Sequence, residues 1–168
     1  MPNVNNVYSN PGVLLLATEG GNYSPVGYTR GGISITPEIE TREIDFDQSK
    51  FPVLIKQGAR RYTINFRLGE VTKDNIQLAW SEPGLPSDGE DELSLGVDRP
   101  TPDFRKIKVY GQRVDGKYVV FEFTRCLLTG SGAFTFSKTD EGLLEATFSA
   151  LYDDTQNRVG KVMFASTI

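Results

Sequence analysis

The stretch from Arg61 to Glu82 constrains the chain most, because its hydrophobic period changes once, in the middle. From Arg61 to Leu68 the period is two: Tyr62, Ile64, Phe66 and Leu68 fall on one side, Arg61, Thr63, Asn65 and Arg67 on the other. Such alternation is a strand with one buried and one polar face. After Gly69 the period lengthens. Thr72 is a favourable N-cap, Val71 is placed to staple against Ile76, and Asp74 falls in the first turn, where the helix dipole favours an anion. Ile76, Ala79 and Trp80 lie at i, i+3 and i+4, one apolar stripe, and Pro83-Gly84 closes the segment. The pattern predicts a strand feeding one short helix over about residues 72–82. No other stretch has a helical period, so the remainder reads as β-structure.

At 168 residues one domain is expected, spanning 1–168, with roughly two-thirds of its unfolded surface buried. The net charge of −4 disfavours a protein that grips nucleic acid through its phosphates. No apolar run is long enough to span a bilayer, and Met1-Pro-Asn-Val-Asn-Asn6 lacks the basic and apolar parts of a signal peptide. Cys126 stands alone in a strand-like run and reads as a buried structural thiol. The chain has no histidine, which removes Ser-His-Asp and Cys-His catalysis and any His metal ligand. No metal or cofactor site is expected, and no enzymatic activity.

Taken in order, residues 1–11 read as a polar arm rich in Asn and Pro, and Gly12–Glu19 as an apolar strand. Ile33–Asp47 is a long extended candidate interrupted by Pro37; Thr41, Glu43 and Asp45 form its acidic side. Residues 48–60 read as a loop whose apolar cluster, Phe51, Val53, Leu54 and Ile55, either folds back onto the core or meets another subunit. Residues 82–103 carry four prolines and three glycines among many carboxylates and read as a long acidic loop. Asp88-Gly-Glu-Asp-Glu92 lacks the ligand spacing of a calcium loop. Ile107–Arg113 and Tyr118–Thr124 predict a hairpin with a type I′ turn at Asp115-Gly116. Gly130-Ser131-Gly132 reads as a break. Phe134–Ser137 and Leu143–Tyr152 predict a second hairpin, with Leu144, Ala146, Phe148, Ala150 and Tyr152 inward. Lys161–Thr167 ends the chain as a short strand. The fold class is therefore mainly β: a β-sandwich or partial barrel of two packed sheets with one flanking helix.

The outward positions of these strands are mostly short and polar: Thr63, Asn65, Thr135, Ser137, Thr147 and Ser149, with Glu43, Asp45, Glu145, Arg61 and Arg67. Three uses suit them. A pair among Glu43, Asp45 and Glu145 would serve a glycan-cleaving enzyme, although nothing in the spacing sets their separation. A carbohydrate-binding module would need outward aromatics, whereas Tyr62, Phe66 and Phe148 point inward. A plain solvated sheet face, or the wall of a water-filled channel, fits the composition directly.

The order of charged strand, loop and strand Arg61–Leu68, with Gly69-Glu-Val-Thr72 opening a helix, resembles bacteriophage tail tube proteins. So do Val26-Gly-Tyr-Thr-Arg-Gly-Gly-Ile-Ser-Ile35 and the run from Arg125-Cys-Leu-Leu-Thr-Gly130 through Phe134-Thr-Phe-Ser137 to Asp154. The resemblance covers most of residues 12–167. It implies six subunits closing into a ring, each giving about four strands to a shared inner barrel, and rings stacked into a tube that conducts double-stranded DNA without gripping it. Its partners would be itself, a tape measure protein and tail-end proteins, in the virion tail, after assembly in the host cytoplasm; no membrane is implied. The lumen-facing residues would be Thr41, Glu43, Asp45, Thr63, Asn65, Arg67, Thr135, Ser137, Glu145, Thr147 and Ser149. Arg67 would then need a carboxylate on a neighbouring strand. Phe51, Val53, Leu54 and Ile55 would meet the adjacent subunit or ring. A ring protein of a contractile injection or type VI-like secretion apparatus is the related alternative.

Overall fold

The computed structural model describes residues 12–44, 54–82, 89, 91–96, 98, 101–134 and 142–168. The elements are β1 (Val13–Thr18), β2 (Ser24–Pro25), β3 (Thr29–Ile44), β4 (Leu54–Leu68), α1 (Lys73–Trp80), β5 (Arg105–Gln112), β6 (Tyr118–Ser131), β7 (Leu144–Ala150) and β8 (Gly160–Ala165). Every strand pairing is antiparallel. The order is β2-β1-β5-β6-β7-β4-β3, with β8 also on β6. Among the described residues the expected mainly-β architecture with a single short helix is present. Its hydrogen bonds run as one continuous open sheet. That sheet coils so that Leu14, Ile107 and Val109 of one half share a core with Ile64, Phe66, Ala146 and Phe148 of the other.

The strand that permits this is β6. Its first half pairs with β5 and with β8, and its second half with β7. Cys126 lies opposite both Arg105 and Ala150, so β7 is across β6 from β5. Hence β7 and β8 lie end to end on the same side of β6. They form one line of strand interrupted by a loop, which the Asp153–Arg158 bridge closes. The expected break at Gly130-Ser131-Gly132 is not there: β6 continues through Ser131, held by Ala146. The partner of β7 on this side is Cys126–Ser131; of the expected strand Phe134–Ser137, residues 135–137 lie outside the described residues.

The period-two reading of residues 61–68 holds, with Ile64, Phe66 and Leu68 buried. On β7, Leu144, Ala146, Phe148 and Ala150 point inward as expected. Tyr152 does not: the strand ends at Ala150, and the tyrosine is half exposed. Phe148 stacks on Phe66 with ring centroids 5.8 Å apart. Each such buried side chain contributes about 1.5–3 kcal/mol. Cys126 is fully buried, and burial pushes its thiol up to about 12, so it is an inert packing group.

The first hairpin forms with a different turn. Gly116 N–H donates to Arg113 O at 3.0 Å, Arg113 N–H to Lys117 O at 2.8 Å, and among the two turn residues only Gly116 has positive φ, at 79°. This is a three-residue loop: a type I turn closed by a glycine bulge. A type I′ turn would have needed positive φ at Asp115 too.

Helix α1 starts where expected, with Thr72 Oγ1 accepting from Asn75 N–H. Its buried face is Asn75, Leu78 and Ala79, while Ile76 and Trp80 pack half-buried at the core margin. The expected apolar stripe is thus rotated to place an asparagine inward, and Val71 is too exposed to staple it. The helix stops at Ser81, in the left-handed conformation at φ 57°, with Glu82 N–H donating to Gln77 O. Pro83 and Gly84 lie outside the described residues. Of the acidic loop, Lys73 Nζ donates to Gly89 O, and the Glu82 carboxylate accepts from Gly96 N–H.

Candidate assembly surface

Two features of the fold lie outside the core. The first is an arm. β4 pairs with β7 only over Tyr62–Leu68, while Leu54–Arg61 pair with β3 alone. Residues 54–60, expected as a loop, are therefore strand. Pro37, expected to interrupt β3, sits within it opposite Tyr62. β3 is the outermost strand, and an outer strand tolerates a residue with no N–H to donate. Beyond Pro37 the described side chains of the arm are exposed, apart from half-buried Ile44. A two-stranded ribbon without a covered face is marginal in water.

The second feature is a polar panel on the outer face of β3, β4, β7 and the second half of β6. Residues directly opposite across a ladder share a face. Ser34, Asn65 and Thr147 form one row, and Thr36, Thr63 and Ser149 the next. Thr129 Oγ1 lies 3.1 Å from Ser149 Oγ and extends the panel onto β6. Charges on it face opposite charges: Glu38 is opposite Arg61, and Arg67 opposite Glu145. Arg67 Nε donates to Glu145 Oε1 at 2.6 Å. Both side chains are about half exposed, so solvent screening leaves this pair worth only about 0.2–1 kcal/mol. Its effect is to neutralise the panel.

The structure thus brings together Thr63, Asn65, Arg67, Glu145, Thr147 and Ser149. Thr41 and Glu43 lie apart, in the arm, opposite Gln57 and Ile55. Leu54 is opposite Ile44 towards the far end of that arm. Asp45, Phe51, Val53, Thr135 and Ser137 lie outside the described residues. Ser34, Thr36 and Thr129 join the panel without having been singled out. The alternation Ile33-Ser-Ile-Thr36 was the signal available for the first two. Among the described residues, no three of His, Cys, Asp and Glu gather as metal ligands.

The panel is bounded by two unpaired edges among the described residues. One is the outer side of β3 along its length; the other is the side of β6 over Leu127–Ser131, which β5 does not reach. No known family profile and no curated protein sequence matches this chain. Solved structures do. A chain of the six-fold symmetrised cryo-EM structure of the anti-feeding prophage baseplate matches with TM-score 0.54 at 10% identity, over 100% of this chain and 99% of that one. A chain of the anti-feeding prophage tube-terminating cap gives TM-score 0.47 at 9% identity, over 90% and 88%. The baseplate likeness is one of fold, and it runs from end to end.

Proposed function

We propose that the protein is a non-enzymatic structural subunit of a phage-type tail or tail-like particle, and that it works as copies joined side to side around an open bore. The observation that carries this reading is the panel with a free edge on either side. Strand directions alternate across β6, β7, β4 and β3. Rotation about an axis along the strands preserves those directions. With four strands, β3 of one copy therefore meets β6 of the next antiparallel, and the ladder continues unbroken. An odd number would force a parallel seam. Joining the edges also removes the hazard that free strands present.

Six copies would supply roughly 24 strands, which at about 4.8 Å spacing and a tilt near 40° give a backbone diameter of about 48 Å. Side chains reduce this to about 40 Å, wide enough for a duplex of about 20 Å. A wall of short polar groups and paired charges holds no phosphate strongly, so DNA passes without specific binding. On this reading the protein belongs to the virion tail, is assembled in the host cytoplasm, and meets a tape measure protein inside and tail-end proteins at either end. The arm, with Phe51, Val53, Leu54 and Ile55 towards its tip in sequence, contacts the next subunit or ring. The baseplate likeness in fold supports a second reading, a ring of a contractile injection apparatus. A glycan-binding sandwich is the competing class.

Electron microscopy of the purified protein tests this. Rings or stacked rings with an open centre are expected. Dispersed monomers at every concentration, with affinity for a sugar, would replace the reading by the glycan-binding one. Phe51→Asp with Leu54→Asp should leave folded subunits that no longer stack; unchanged tubes would remove the arm from the contact.

A further inference from the structure

The corner at which β6 passes from β8 to β7 holds two cations side by side. Phe123 and Cys126, three positions apart, both belong to the core. Thr124 and Arg125 between them therefore share one outward position, opposite Lys106, where the β5–β6 ladder shifts register. Bulges of this kind re-aim a side chain. The Arg125 guanidinium lies 4.2 Å from the centroid of the Phe104 ring. Its Nε is buried without a hydrogen-bond partner among the described residues. Neither Arg125 nor Lys106 forms an ion pair with a described residue. Asp153 acts on Arg125 through its charge, while one of its oxygens accepts the N–H groups of Thr155 and Gln156. An arginine stacked on a ring is held in place yet keeps N–H donors for a carboxylate.

The corner adjoins the free side of β6. Leu127 lies opposite Ser149 of the panel, and Arg125, two residues earlier, shares that face. The other free edge carries the opposite charge. Pro37, Tyr62, Ala150 and Cys126 stand on one line across the sheet. Beyond Pro37, β3 has three glutamates and one arginine up to Ile44. Glu38 and Glu40 follow Ser34 and Thr36 on the panel face and are exposed. Neither forms an ion pair with a described residue.

We infer that the Arg125–Lys106 corner is a carboxylate socket for a second copy of this chain, filled by Glu38 and Glu40 of the neighbour's β3. The inference rests on the ring reading and names the contact at its seam. When β3 of one copy lies against β6 of the next, neighbouring strands share their faces. The glutamates of one copy and the cations of the other then meet on one face, past the end of the shared ladder. The arm, which nothing in its own copy covers, gains a surface to lie on.

The test exchanges the charges in the full-length protein. One variant carries Glu38→Lys with Glu40→Lys, the other Lys106→Glu with Arg125→Glu. Each alone sets like charges against each other at every seam and should stay dispersed in electron micrographs. Mixed one to one, they should form rings again, because strict alternation of the two makes all six seams complementary. Either variant forming rings as the parent does would overturn the inference. So would a mixture that stays dispersed while both variants keep the parent's circular dichroism. A parent that forms no rings would sink the ring reading itself. Lys106→Gln with Arg125→Gln adds no charge to the corner, so it guards against misfolding of the reversed form. It should raise the concentration at which rings appear about tenfold. No rise, or a loss of duplex-DNA binding in place of a rise, would take the socket away from the neighbouring copy.

Discussion

Replacing Asn75 tests the least expected feature of the fold, a polar residue that locks the only helix of the described chain onto the sheet. Asn75 is 5% exposed. Its Nδ2 donates to Glu70 O at 2.9 Å and to Val26 O at 3.4 Å, tying the helix start to the segment before β3. Both acceptors are carbonyls, so only the amide nitrogen can face them. Asn75→Ala loses one good and one long hydrogen bond and leaves two partly buried carbonyls unpaired. The expected cost is about 2 kcal/mol, or about 4–8 °C in Tm for a chain of this size. Asn75→Asp keeps the shape but turns an acceptor towards two acceptors, so at neutral pH it should be less stable than Asn75→Ala. Its carboxyl would titrate above the ordinary value of about 3.9, because protonation restores one donor. A folded pKa raised above the unfolded one means that stability is retained below pH 4 and lost as pH rises through the folded value. Urea unfolding followed by circular dichroism at pH 3.5 and pH 7 reads both effects. If Asn75→Asp is as stable as Asn75→Ala at both values, or if Asn75→Ala matches the parent within 0.5 kcal/mol, the locking argument fails.

Phe148→Ala should cost about 3–5 kcal/mol in the same assay, because it empties a fully buried site and removes the stack on Phe66. Arg67→Glu or Glu145→Arg alone should move stability by less than about 1 kcal/mol, since the pair is half exposed, and the exchanged double variant should restore the neutral panel. A cost above 2 kcal/mol for either single variant would show that the pair has a structural role. Cys126 should react with a thiol reagent only as fast as the protein unfolds, and fast labelling of the native state would contradict its burial. Thr72→Ala should cost about 1 kcal/mol through the lost helix cap.

What could be read from the sequence was whatever depends on near neighbours along the chain. The strand Arg61–Leu68 and the inward face of Leu144–Ala150 are set by period two, and the start of α1 by Thr72 and Asp74. The polar character of the panel followed from the same alternation. The misread strand boundaries depend on partners that are not adjacent in sequence. Leu54–Arg60 look like a loop until β3 lies beside them, and Pro37 looks like a breaker until β3 proves to be the outermost strand. Gly130-Ser131 look like a break until β7 pairs with them. The burial of Asn75 has no sign in the sequence either, because it depends on the Val26 carbonyl, 49 residues away, meeting it beside Glu70 O.

The sequence by itself therefore determined which side of each strand is greasy, because side-chain alternation is a local property of extended backbone. Only the tertiary structure decided which edges stay unpaired and which strands run on beyond their partners. Those depend on how far each strand outruns its neighbours, and strand register is a relation between segments that no single segment encodes.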